Sequence, residues 1–172
     1  MTPEIFLTNV LDPGLTFVAE LGGPQPTDDV RRFLLCIALQ ESGPMLAARY
    51  QNSPSTSAGP ARGFWQFERG GGVAGVLNHA ASKALAAQAC QALTVAANPA
   101  AVWRALEGHD LLAVAFARLL VFTDPHPVPV TEQAAWTCYC NRLWRPGKPH
   151  PETWPTNWRT ASGAVTPPAR EV

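Results

Sequence analysis

A basic amino-terminal region followed by an apolar core is missing from the start of this sequence. Met1 to Phe17 carries Glu4 and Asp12 instead, so no signal peptide is expected: the chain reads as made in the cytoplasm, and any export uses something else. The longest apolar run, Leu111 to Phe122, is interrupted by Arg118. It falls short of the ~20 residues that span a bilayer and reads as a buried helix, with no stable membrane insertion. Thirteen basic and thirteen acidic residues cancel. With no excess of either sign, neither nucleic acid nor an anionic membrane is expected as the main partner, and any polymer must be recognised locally.

Cysteine pairs of the CxxC kind are also absent. Cys36, Cys90, Cys138 and Cys140 read as reduced residues packed as small hydrophobes. His79, His109, His126 and His150 lack the i, i+4 spacing of a helical metal site, so neither a metal nor another cofactor is expected. Alternating Val/Ile/Thr runs of the strand type are nearly missing.

What is present is helical periodicity rich in Ala and Leu, within 172 residues of which 47% are hydrophobic. That size supports one core and one domain. The pattern predicts helices over Pro3 to Val10, Pro13 to Ala19, Asp28 to Glu41, Val73 to Ala80, Lys83 to Ala97, Pro99 to Glu107, Asp110 to Phe122 and Glu132 to Leu143. The expected fold is all-α, a single domain of about eight helices with a long active-site loop and little or no β-structure. The loop is 43–72, rich in Ser, Pro and Gly and longer than an ordinary connection, and its cluster Phe64, Trp65, Phe67 argues that it is ordered. A body over 1–158, with an N-terminal helical part at 1–27, is expected to end in a loose tail over 159–172.

The helix from Asp28 is the informative one. Val30, Phe33, Leu34, Ile37 and Ala38 form an apolar stripe, and its continuation lands on Glu41, just before the breaker Gly43-Pro44. Partial burial and the negative end of the helix dipole both disfavour a charged carboxylate there, so the Glu41 pKa should rise. A glutamic acid protonated near neutrality can protonate a glycosidic oxygen. In the competing reading Glu41 turns to solvent or pairs with Arg62 or Arg69.

Glu41-Ser42, followed by Ser57, Ala61, Gly63 and Gln66 within SAGPARGFWQFE, resembles the lytic transglycosylase and goose-type lysozyme group. Its members share Glu-Ser, a loop, and Ser-x-x-Gly-Ala-x-Gly-Leu-Met-Gln. Pro60 replaces the first glycine, Phe64-Trp65 replace Leu-Met, and the loop is longer than usual. The sequence resembles lysozyme-like domains of phages and prophages more closely, through Trp65 to Glu68, Ala117 to Pro125 and Trp144 to Pro149. The likeness covers about Asp28 to Trp158. It implies a lysozyme-like fold with a cleft between two lobes, a peptidoglycan glycan strand as partner, Glu41 as catalytic acid, and other virion or lysis proteins as further partners.

The resemblance also implies that Gln66 lies on the cleft wall. In a locally extended segment Glu68 shares its face and is the leading second carboxylate, unless it pairs with Arg69. Gly63 allows a tight turn or a close sugar approach. Ser42, Ser57 and Trp65 join the substrate-binding set. For the family's later tyrosine motif Tyr139 is preferred over Phe116 and Trp136, because only its hydroxyl can hydrogen-bond to the acid or the sugar; the alternative is an ordinary buried tyrosine. Trp144 and Arg145 offer an indole for a sugar ring and a cation for the carboxylates of peptide stems, alongside Lys148. Alternatively Trp144, Trp154 and Trp158 anchor the C-terminal chain.

These residues lead to cleavage of the bond between N-acetylmuramic acid and N-acetylglucosamine, by transglycosylation before hydrolysis. A chitin-directed relative and a catalytically silent wall-binding module are the competing functions. The spaced Glu, Asp and Thr of another phage lysozyme group fit less well: Thr56 falls at the right spacing, but Tyr50 occupies the aspartate position.

Overall fold

A computed structural model describes residues 1–47 and 59–166. Most of these residues are helical: α1 (Pro3–Phe6), α2 (Asp12–Glu20), α3 (Asp28–Ser42), α4 (Ala74–Asn78), α5 (Lys83–Ala92), α6 (Pro99–Ala105), α7 (Asp110–Phe122), α8 (Glu132–Thr137) and α9 (Trp154–Val165). Wider π turns extend three of them, at Leu7–Leu11 between α1 and α2, Arg69–Val73 before α4, and Cys138–Leu143 after α8. Among the described residues the β-structure is one short antiparallel pair, β1 (Ala61–Arg62) with β2 (Phe67–Glu68), in the register Ala61 to Glu68 and Arg62 to Phe67.

Helix starts follow capping chemistry. The Thr27 hydroxyl accepts from the Val30 N–H at 3.3 Å, Asn98 Oδ1 accepts from the Ala101 N–H at 2.9 Å ahead of Pro99, and Thr131 accepts from the Ala134 N–H at 3.3 Å. Asp28 and Asp29 follow the first cap and complement the helix dipole. Their carboxylates also pair with Arg31 and Arg32 one turn on, at 2.9 and 2.8 Å. The end of α5 comes earlier than expected, because Thr94 takes a left-handed φ of 56° and the Val95 N–H turns back to the Cys90 carbonyl at 2.8 Å.

Two helices form the centre. In α3 the burial extends beyond the stripe to Leu35, Cys36 and Leu39, and in α7 every residue from Leu112 to Val121 is buried. Neighbours therefore cover both helices on all sides: α9 packs on α3, while α2 and α5 pack on α7. Gly14 permits the α2 crossing, since a Cβ there would collide with the Val114 side chain. The run Leu111 to Phe122 is a buried helix, as expected, although it carries Arg118 inward. Burial lowers that guanidinium to about 10, and its Nε has no hydrogen-bond partner among the described residues. Among the described residues no helix is long and apolar enough to cross a membrane.

The loose tail expected over 159–172 is corrected for 159–165. These residues belong to α9, where Ala161 and Val165 are buried and Trp154 donates to the Glu132 carbonyl at 3.3 Å. An apolar face formed by Trp154, Ala161 and Val165, with Trp158 against Arg32 at 5.9 Å, holds this helix on α3, so the C-terminal tryptophans anchor the chain. The four cysteines carry free thiols.

Candidate active site

Glu41 lies one residue before the end of α3 and lines a cavity of about 650 Å³. The opposite walls come from the β1–β2 hairpin (Ala61, Gln66, Phe67, Glu68) and from the segment after α8 (Tyr139, Trp144, Arg145, Lys148, His150). Burial raises the Glu41 carboxyl from 4.5 to about 7, against the opposing effects of the Tyr139 hydroxyl and of His150. Its titration therefore falls near neutrality and not in the usual carboxylate range. Pairing with Arg62 does not occur: that guanidinium binds Glu107 at 3.1 Å and lies over the Trp103 ring at 4.1 Å.

The Tyr139 hydroxyl donates to Glu41 Oε1 at 2.7 Å. Its ring is stacked on Trp154 at 5.0 Å and flanked by Trp136 at 5.7 Å, so an aromatic cage fixes its direction. Burial, and after it the neighbouring Glu41, holds the phenol well above its ordinary range, and it remains a donor. Phe116 is fully buried, and Trp136 packs beside Tyr139; of the three aromatic candidates, Tyr139 meets the acid.

Gln66 occupies a left-handed conformation, φ 49°, at the end of the hairpin turn. Its N–H and its Nε2 both donate to the Gly63 carbonyl, at 3.1 and 2.8 Å. Gly63 has φ 74°, and a Cβ there would approach the Leu106 carbonyl to 2.7 Å. Its role is the tight turn, because it is buried against Leu106, just past the end of α6, and does not line the cavity. Glu68 is exposed on the cavity wall and, among the described residues, forms no ion pair with Arg69.

Two expected substrate contacts are corrected. Trp65 is fully buried, and its Nε1 donates to the Leu34 carbonyl at 2.9 Å; packing against Phe6 and Phe64 makes it a core residue that cannot offer a face to a sugar. Ser42 is buried too, and its hydroxyl donates to the Phe64 carbonyl at 2.5 Å, tying the end of α3 to the hairpin. Ser57 lies outside the described residues. Trp144 anchors the segment after α8 through Nε1, which donates to the Trp65 carbonyl at 3.0 Å, and it also lines the cavity.

Gln40 and His150 carried no sequence signal of their own, yet both line the cavity beside Glu41. Backbone strain, which no sequence pattern displays, also gathers there. Gln66, Arg145 and His150 all have positive φ, at 49°, 46° and 51°, and all three line this cavity. A left-handed conformation costs a non-glycine residue roughly 1–2 kcal/mol, and such strain concentrates at functional sites. The arrangement can donate a proton from a buried acid to a polar ligand in an open groove.

No family model, no curated protein and no solved structure matches this chain.

Proposed function

We propose that the protein cleaves the β-1,4 bond between N-acetylmuramic acid and N-acetylglucosamine in peptidoglycan, with Glu41 as general acid and then base. The observation that carries this reading is a glutamic acid lifted to about 7 by burial, held by Tyr139 and opening on a cavity with polar walls. Tyr139 occupies Oε1, and Oε2 has no partner among the described residues. The proton of Glu41 passes to the glycosidic oxygen as the bond from the muramoyl C1 breaks. The muramoyl C6 hydroxyl then bonds to C1 and returns its proton to the Glu41 carboxylate, closing a 1,6-anhydro ring. No water is consumed, and no second carboxylate is required.

A second reading has its own support, because Glu68 lines the same cavity. As nucleophile or base it would make the enzyme a two-carboxylate hydrolase. Mass spectrometry of fragments released from purified cell walls tests both readings: anhydro ends, 18 Da lighter than reducing ends, support transglycosylation. No fragments from the protein would overturn the glycosidase reading and leave a wall-binding module, whereas equal release by Glu41→Gln would overturn the assignment of Glu41 as the acid.

A further inference from the structure

Gln40, beside Glu41 on α3, uses its full hydrogen-bonding capacity. Its Nε2 donates to the carbonyls of Pro149 at 2.8 Å and His150 at 3.0 Å, while its Oε1 accepts from Asn157 Nδ2 at 2.7 Å and shares the single Thr153 hydroxyl proton with the His150 carbonyl, each at 3.0 Å. Two N–H donors and two lone pairs are all that an amide offers. One side chain thus ties the helix that carries the acid to the segment 149–157.

That clamp fixes the far end of the loop 145–150. The near end is fixed by the Arg145 N–H, which donates to the Tyr139 carbonyl at 3.1 Å. Pro146 and Pro149 restrict the backbone between them. Left-handed residues, Arg145 and His150, sit at the two ends, so the loop is held in a shape it would not adopt alone.

The loop brings Arg145, Lys148 and His150 to the cavity. His150 is met by Glu152 at 3.0 Å, whereas Arg145 and Lys148 have no acidic partner among the described residues. Two uncompensated cations on one wall suit an anion held by charge-assisted hydrogen bonds. A neutral amino-sugar polymer offers them hydroxyl and amide oxygens but no opposite charge. Peptidoglycan offers carboxylates, on its peptide stems or, where a stem has been removed, on the lactyl group that carried it.

We infer that Gln40 positions the loop 145–150 so that Arg145 and Lys148 bind a carboxylate of the substrate, which makes the site selective for carboxylate-bearing glycans over neutral ones. This rests on the glycosidase reading. Gln40 is a positioning residue, and Arg145 and Lys148 are the specificity-determining ones.

Calorimetric binding to Glu41→Gln protein, which does not consume its ligands, tests the inference with three tetrasaccharides. One is chitotetraose, one is a peptidoglycan tetrasaccharide stripped of peptide, and one retains its stems. Adding Arg145→Gln and Lys148→Gln together is expected to weaken binding of a carboxylate-bearing ligand roughly tenfold and to leave chitotetraose unchanged. Loss confined to the stem-bearing ligand identifies the stem as the source, loss confined to the stripped ligand identifies the lactyl group, and loss on both shows that the site accepts either carboxylate.

Gln40→Ala in the otherwise native protein should raise KM for the preferred ligand with little change in kcat, a split that general destabilisation would not produce. Should that variant not fold, the exposed charge pair carries the test alone. Equal affinity for all three ligands, or equal losses on all three, overturns the inference and leaves the glycosidase reading standing. Folded protein that binds none of them overturns both.

Discussion

Tyr139 donates its hydroxyl to Oε1 of Glu41 at 2.7 Å, across 98 positions of sequence. That bond links the last turn of α3 to the π turn after α8, and it stabilises the charged carboxylate within a site whose burial opposes charge. The two effects together place the carboxyl in the range where an acid can both give and take a proton.

Replacing Glu41 by Gln should leave a folded protein that releases cell-wall fragments ~10²–10⁴-fold more slowly, since the amide accepts from Tyr139 but has no proton to give. Turbidity loss of a wall suspension reads the rate directly.

The same substitution should stabilise the protein at alkaline pH. Because folding raises this carboxyl from 4.5 to about 7, its contribution is fully present below the unfolded value and is lost as pH rises through the folded one. Glu41→Gln removes that loss, so its advantage in denaturant unfolding should grow from small near about pH 5 to on the order of 3 kcal/mol above about pH 8. A constant difference across that window would show that Glu41 is not buried as described.

Tyr139→Phe removes the bond that lowers the Glu41 pKa. The alkaline limb of the pH–rate profile, set near about 7 in the parent, should move to higher pH. Profiles of kcat/KM for the two proteins check the direction, and a limb that stays or falls would contradict the bond's assigned effect.

Glu68→Gln should retain substantial activity and the same anhydro ends, because internal attack by the C6 hydroxyl needs no second carboxylate. Fragment mass decides the matter. A dead variant, with water-derived reducing ends as the parent's only product, would establish Glu68 as the second carboxylate of a hydrolase.

Gly63→Ala should destabilise the protein by roughly 1–3 kcal/mol, since φ is 74° and the new Cβ would stand 2.7 Å from the Leu106 carbonyl. Thermal unfolding reads the loss. Activity should fall as well, because the Gly63 carbonyl receives both bonds that orient Gln66.

Much of this was legible in one dimension. Caps at Thr27, Asn98 and Thr131 act on neighbours three residues away, and an apolar stripe repeats every turn, so helix positions and the inward face leading to Glu41 follow from local spacing. The hairpin turn at Gly63 is equally local. The start of α9 among prolines was not legible, because the face it buries is defined only by the α3 surface that receives it.

Sequence alone therefore determined a helical chain with a carboxylate at the inner end of its third long segment, since those features depend on residues within a turn or two of each other. Tertiary structure decided that Tyr139 meets Glu41, that Trp65 fills the core instead of the groove, and that Gln40 clamps the cationic loop beside the acid. Periodicity says which face of a helix is buried, but not what lies against it. Those partners stand 31 to 117 positions apart, and only packing of the whole chain brings them together.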